Sequence, residues 1–178
     1  MSKPQPEEAP ARRNRIALIS TGGTIEKTYD ELEGVLQNRL SVLDVMLATL
    51  QLGGVEIIRV PLMNKDSLEM KAADHLLIAE TAEAMSKGHD GVVIVHGTDR
   101  LAETGEKLVA ITATPRVPFV LTGAMRPYML RQTDALQNLT EALVAVQVLA
   151  PGIYVAMHNK VLQFPGVRKD RSRGTFVK

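Results

Sequence analysis

Five short apolar runs, spaced along most of the chain, limit the fold more than any other feature. They are Ile16–Ser20, Val55–Val60, Val92–Val95, Phe119–Leu121 and Ile153–Met157. Most are β-branched and nearly continuous rather than alternating. Strands covered on both faces read this way, and such strands belong to parallel sheets. The segments between them read as helices. Ser41 and Asp44 have the spacing of a capping box, followed by Leu43, Leu47 and Leu50 on one face and a stop at Gly53-Gly54. Residues 72–87 and 99–112 are the next helical segments. Over Asp134–Ala150, Ala135, Leu139, Ala142, Val146 and Leu149 recur by fours and threes, and Pro151-Gly152 ends the pattern. Strand and helix in alternation require crossover connections. The expected fold is α/β: a three-layer, mainly parallel sheet with helices on both faces.

Residues 28–40 fit neither period and are read as a loop or lid directly after the first glycine-rich turn. The first 14 residues carry prolines and charges without an apolar stretch, so they are expected to form a disordered tail that is not a secretory signal. Residues 15–178 then form a single domain. No stretch is long and apolar enough to span a bilayer.

Composition removes several function classes. Net charge is +1, so no global field favours nucleic acid or membrane. Aromatic residues make up 3% with no Trp, too few for stacking platforms. The absence of Cys excludes thiolate catalysis and cysteine-ligated metals, and it fits a cytoplasmic protein. The four histidines lack metal-ligand spacing, so no metal is expected.

In an open α/β sheet the chemistry lies beyond the carboxyl ends of the strands. Those ends read Ser20-Thr21-Gly22-Gly23-Thr24, His96-Gly97-Thr98-Asp99, Thr122-Gly123-Ala124-Met125-Arg126-Pro127 and His158-Asn159-Lys160. Glycine lets a backbone approach a ligand, and threonine holds a hydroxyl on a stiff stem. Thr-Gly-Gly-Thr is neither a dinucleotide fingerprint nor a Walker A sequence, and no good helix follows it. The turn could still cradle an anion, present an activated hydroxyl, or simply cap itself. His96 beside a Thr and a carboxylate invites a Ser–His–Asp reading, but a histidine at a strand end is more often a packed, hydrogen-bonded residue.

The motifs TGGTIEK (21–27), HGTDRLAET (96–104), TGAMRP (122–127) and D-A-x-x-N-L (134–139) occur together in one order and spacing. This arrangement resembles the bacterial-type L-asparaginase/glutaminase family, from about residue 15 to the C-terminus. The resemblance implies the Rossmann-like or flavodoxin-like N-terminal domain of that family, without its usual second domain. It implies hydrolysis of the side-chain amide of L-asparagine through a Thr-linked acyl-enzyme, without a cofactor. Glutamine, a larger amide, or binding without turnover are the alternatives. Thr24 would be the nucleophile and Tyr29 a lid residue that positions it. Thr98, Asp99 and Lys169, the last found at the end of VLQFPGVRK, would form a second catalytic set. Asp99 would hold the substrate's α-ammonium, and the N–H groups of Gly23 and Thr98 would form an oxyanion hole. Asn64, Lys65 and Ala124 complete the expected substrate-binding residues. Lys65 departs from the family pattern, because it would place a cation beside the substrate's ammonium. Small-molecule substrate, no nucleic acid, no membrane and a homodimer or homotetramer are the expected partnerships.

Overall fold

A computed structural model describes residues 12–39 and 41–178. Its central sheet contains β1 (Asn14–Gly22), β4 (Val55–Lys65), β5 (Gly91–Val95), β6 (Pro118–Thr122), β7 (Gly152–Met157) and β8 (Lys160–Gln163). Their spatial order is β4-β1-β5-β6-β7-β8. The first five are parallel, and β8 folds back antiparallel on β7. The mainly parallel sheet expected from the apolar runs is present. The strand Asn14–Gly22 begins inside the expected N-terminal tail, the first 11 residues of which lie outside the described residues.

Each parallel strand sends alternate side chains into two separate cores. Ile16, Leu18, Val93, Val95, Val120 and Ala156 pack on one face with α1 (Leu43–Ala48) and α4 (Ala135–Val148). Ala17, Ile19, Val92, Ile94, Phe119 and Val155 pack on the other with α2 (Ala72–Ser86) and α3 (Leu101–Ile111). Burial on both sides is why these runs carry no alternation in hydropathy. In α4, Leu139, Ala142 and Val146 face the sheet while Val144 and Val148 face outward, as the four-and-three spacing predicts.

The first helix is shorter than its sequence signals imply. It starts at Leu43 with Val42 as its cap, and no side chain closes the cap. The Ser41–Asp44 capping box does not form. Ser41 Oγ instead donates to Glu26 Oε1 at 2.6 Å, and Asp44 accepts from Arg59 Nε at 2.8 Å. Ser41 Oγ keeps only a long local bond from Leu43 N–H at 3.4 Å, and the tertiary contacts replace the reciprocal box.

Residues 28–39 are not an irregular loop. β2 (Thr28–Asp30) and β3 (Val35–Gln37) form an antiparallel hairpin. Asp30 pins it, accepting from the N–H groups of Leu32 and Glu33 and from the side chains of Gln37 and Arg39. A second hairpin, β9 (Arg168–Asp170) with β10 (Thr175–Val177), ends the chain. No described helix is long and apolar enough to cross a membrane.

Candidate active site

The strand order reverses between β1 and β5. The chain leaves β1 for β4 on one side and leaves β5 for β6 on the other. A crevice must open where the two connections part, and ligands of open α/β sheets bind there. The residues at its two walls are Thr21–Thr24 and His96–Asp99.

The walls meet backbone to backbone. Gly23 has φ +81, and a Cβ there would lie 2.3 Å from the Cα of Gly97. Only glycine tolerates both that conformation and that contact. Thr24 and Thr98 are the next residues on the two abutting loops. Thr24 opens a single 3-10 turn to Glu26, closed by Lys27 N–H donating to Thr24 O at 3.1 Å. One short turn offers no helix N-terminus to an anion, which leaves the cradle reading without its main support. The Thr24 side chain is half-buried, and its hydroxyl is bonded to no described residue. Thr21 is different: its hydroxyl donates to Val95 O at 2.9 Å and is fully buried, a structural bond between the two strands.

Lys169 arrives from the far end of the chain. The tip of the Phe164 ring abuts Gly105 of α3, where any Cβ would lie 2.2 Å from Cζ. This contact aims the following hairpin at the crevice. Asp170 fixes the hairpin turn by accepting from Ser172 N–H and Oγ–H at 3.0 and 2.6 Å. Lys169 Nζ then donates to Thr98 Oγ1 at 2.8 Å and to Asp99 Oδ1 at 2.9 Å. Arg171 adds a second cation 3.5 Å from the same carboxylate oxygen. Thr98 is 3% exposed, and its own proton points to Met125 Sδ at 3.6 Å. A cation held on a nearly dry hydroxyl favours its alkoxide and can shuttle its proton.

The other expected residues are placed less uniformly. Tyr29 sits on the β2–β3 hairpin, 53% exposed, with its N–H against Met129 Sδ. Its hydroxyl is not brought into hydrogen bonding with Thr24 or with the Lys169 group. The N–H of Gly23, an expected oxyanion donor, donates here to Lys65 O at 2.8 Å. The side chain of Ala124 is fully buried in the core, which leaves its backbone as the part that can line the crevice. Lys65 turns toward α2 and pairs with Asp74 at 2.7 Å. The expected charge reversal therefore does not arise from Lys65. Asn64 accepts from Asn38 Nδ2 at 3.1 Å and lines a polar pocket with Lys27, Gln37, Asp66 and Glu69.

Several residues of the site escaped sequence reasoning. Lys27 and Asp66 pair at 2.6 Å across the pocket. Burial opposes the Asp66 charge, but the Lys27 ammonium and the Leu68 N–H hold its carboxyl below the usual range. Ser67 is buried against Gly97, where an added Cβ would lie 2.5 Å from its Oγ. An Asp-Ser pair after a strand was the available signal, and it reads equally well as a plain cap. Asp134 holds the third loop: it accepts from the N–H groups of Met125 and Arg126 at 3.0 Å each and from His158 Nε2 at 2.7 Å. Burial works against its ionisation, yet these donors keep its carboxyl below the usual range. Glu26, two residues past Thr24, is fully buried with Oε2 unpartnered among the described residues. Desolvation pushes its carboxyl up, against the pull of Ser41 and Arg59.

Comparison with known proteins bears on this geometry. The L-asparaginase of Thermococcus kodakarensis is 34% identical over 166 residues, covering 90% of this chain and 49% of that protein. Its solved structure superposes with a TM-score of 0.75 over 84% of this chain and 45% of that one. A glutamyl-tRNA(Gln) amidotransferase subunit from Methanobrevibacter smithii is 34% identical over 85% of this chain and 35% of its own. The structure of a probable cytoplasmic L-asparaginase from Campylobacter jejuni gives a TM-score of 0.72 at 32% identity, covering 88% of this chain and 48% of that one. This chain thus spans about half, or less, of the length of each. The family model described as "Asparaginase, N-terminal" matches residues 15–176. With its two Thr-bearing loops at the switch point of the sheet, the chain belongs to the asparaginase family.

Proposed function

We propose that this chain hydrolyses the side-chain amide of L-asparagine to L-aspartate and ammonia through a threonine-linked acyl-enzyme. The observation that carries the reading is the contact of Lys169 Nζ with both Thr98 Oγ1 and Asp99 Oδ1, beside the turn that bears Thr24. Thr24 Oγ attacks the amide carbon and forms an ester; the proton it gives up passes to the amide nitrogen, the C–N bond breaks, and ammonia leaves. Water then cleaves the ester with Thr98 and Lys169 moving its proton, and aspartate departs. The N–H of Thr98, bonded to no acceptor among the described residues, faces the developing oxyanion. Asp99 meets the α-ammonium by a charge-assisted hydrogen bond. Assembly as a homodimer or homotetramer belongs to the same proposal. The exposed apolar side chains of Leu32, Val35 and Met129 on and beside the hairpin support it.

A second reading shares the nucleophile but takes glutamine or the amide of a larger molecule. Similarity to a protein named as an amidotransferase subunit supports it. Relative kcat/KM for ammonia release from asparagine, glutamine and a peptide amide separates the two. Asparagine preferred by about tenfold or more is expected on the first reading.

A further inference from the structure

His96 stands next to the Thr98 loop but does not touch the Thr98 hydroxyl. It is fully buried, and both ring nitrogens are engaged. Nδ1 lies 2.8 Å from Gly97 O, and a carbonyl only accepts, so Nδ1 carries a proton. Nε2 lies 2.8 Å from Thr104 Oγ1 on α3. A second proton on this ring would leave a cation in a dry interior without a counter-ion. Burial depresses the imidazole to about 4, in keeping with a neutral ring. Nε2 is then bare, and Thr104 must donate to it.

The direction of the remaining bonds follows. Thr104 Oγ1 is also 2.7 Å from His75 Nδ1 on α2. Its single proton is already given to His96, so it accepts here and His75 Nδ1 donates. The two imidazoles stack with centroids 6.0 Å apart, and Thr104 bridges them. His75 Nε2 has no hydrogen-bond partner among the described residues and lies 3.4 Å from Glu103 Oε2 at the surface. The result is one chain of donors, His75 to Thr104 to His96 to the Gly97 carbonyl, with every proton pointing the same way. Hydrogen bonds aligned head to tail polarise one another. Gly97 C=O shares its peptide with Thr98 N–H, so a donor at that oxygen strengthens the N–H at the other end.

We propose that His75, Thr104 and His96 form a unidirectional hydrogen-bond relay that orients and polarises the Gly97–Thr98 peptide. They are positioning residues, acting through the Thr98 N–H rather than on substrate. The catalytic consequence rests on the function proposed above; the relay itself does not.

The test uses the full chain with Thr104→Val, which keeps the shape and removes the hydroxyl, and Thr104→Ser, which keeps the hydroxyl. Nitrogen NMR of the wild type at pH 7 is expected to show His96 neutral, protonated on Nδ1 and bare on Nε2. In Thr104→Val the Thr98 amide nitrogen and proton should move toward weaker polarisation, and Thr104→Ser should return them. Turnover of asparagine should lose about tenfold in kcat in Thr104→Val, with KM within about twofold. A wild-type His96 protonated on Nε2, or a Thr98 amide unmoved in Thr104→Val, would overturn the relay. If the amide moves but the wild type releases no ammonia, the relay stands and the asparaginase reading fails. Should Thr104→Val not fold, the wild-type His96 tautomer alone decides.

Discussion

Lys169 reaches back over 71 residues of sequence to place its ammonium 2.8 Å from the hydroxyl of Thr98. Two packing decisions make this possible. Phe164 seats on Gly105, and the Asp170-pinned turn closes the last hairpin. Replacing Lys169 by Met keeps the stem and removes the charge. The expected result is a loss of about 10²- to 10⁴-fold in kcat with a melting temperature near wild type. Steady-state kinetics alongside a thermal melt checks both halves.

Gly23 is where the loops that bear Thr24 and Thr98 touch. Gly23→Ala forces a side chain into left-handed backbone and against the Gly97 Cα, 2.3 Å away. Backbone strain alone costs about 1–3 kcal/mol. The variant should melt earlier and lose activity together. Chemical denaturation measures the first effect and ammonia release the second.

Buried His96 makes stability depend on pH in a defined direction. Its imidazole falls from 6.5 in the unfolded chain to about 4 when folded. Above pH 6.5 both states are neutral and the group contributes no pH dependence. As pH drops from 6.5 toward 4 the unfolded chain takes up a proton that the folded chain refuses. Stability is thereby lost, by about 3 kcal/mol across that window. Urea midpoints from pH 7 to 4.5 should fall in the wild type and fall less steeply in His96→Gln.

Asp134 organises the Met125–Arg126 loop over the Thr98 hydroxyl through donors that want a full carboxylate. Asp134→Asn substitutes a donor for one acceptor and should destabilise by about 3 kcal/mol. Its folded carboxyl lies below the ordinary 3.8. Its contribution is present above that value and is lost as pH falls through the lower, folded one. The stability gap between wild type and Asp134→Asn should therefore narrow in acid, as unfolding curves at pH 7 and pH 3 will show.

The parallel sheet was legible because its strands are buried on both faces. The run Val92–Val95 sits within the observed Gly91–Val95, and Phe119–Leu121 within Pro118–Thr122. β4 runs five residues past Val60, through Pro61, because it is an edge strand and can spare a ladder donor. The two small hairpins were illegible. Their strands are three residues long, and side chains of Asp30 and Asp170 hold their turns in place of an Asn-Gly signal. They carry Tyr29 and Lys169, so the positions of those two residues could not be read from local pattern. Family resemblance pointed to Lys169, and the structure brings it to Thr98. Tyr29 it leaves on the outer hairpin. The contacts of Lys65 and Gly23 were equally illegible: local sequence does not reveal that Asp74 takes the ammonium of Lys65 while the Lys65 carbonyl takes the N–H of Gly23.

Ammonia release from L-asparagine by the purified chain, measured beside Thr24→Ala, tests the proposed reaction most directly. Release by the wild type is expected, with a loss of at least about 10³-fold in a folded Thr24→Ala variant. Release that survives the substitution would contradict Thr24 as the nucleophile. No release from asparagine by a folded wild type would contradict the assignment of asparagine as its substrate.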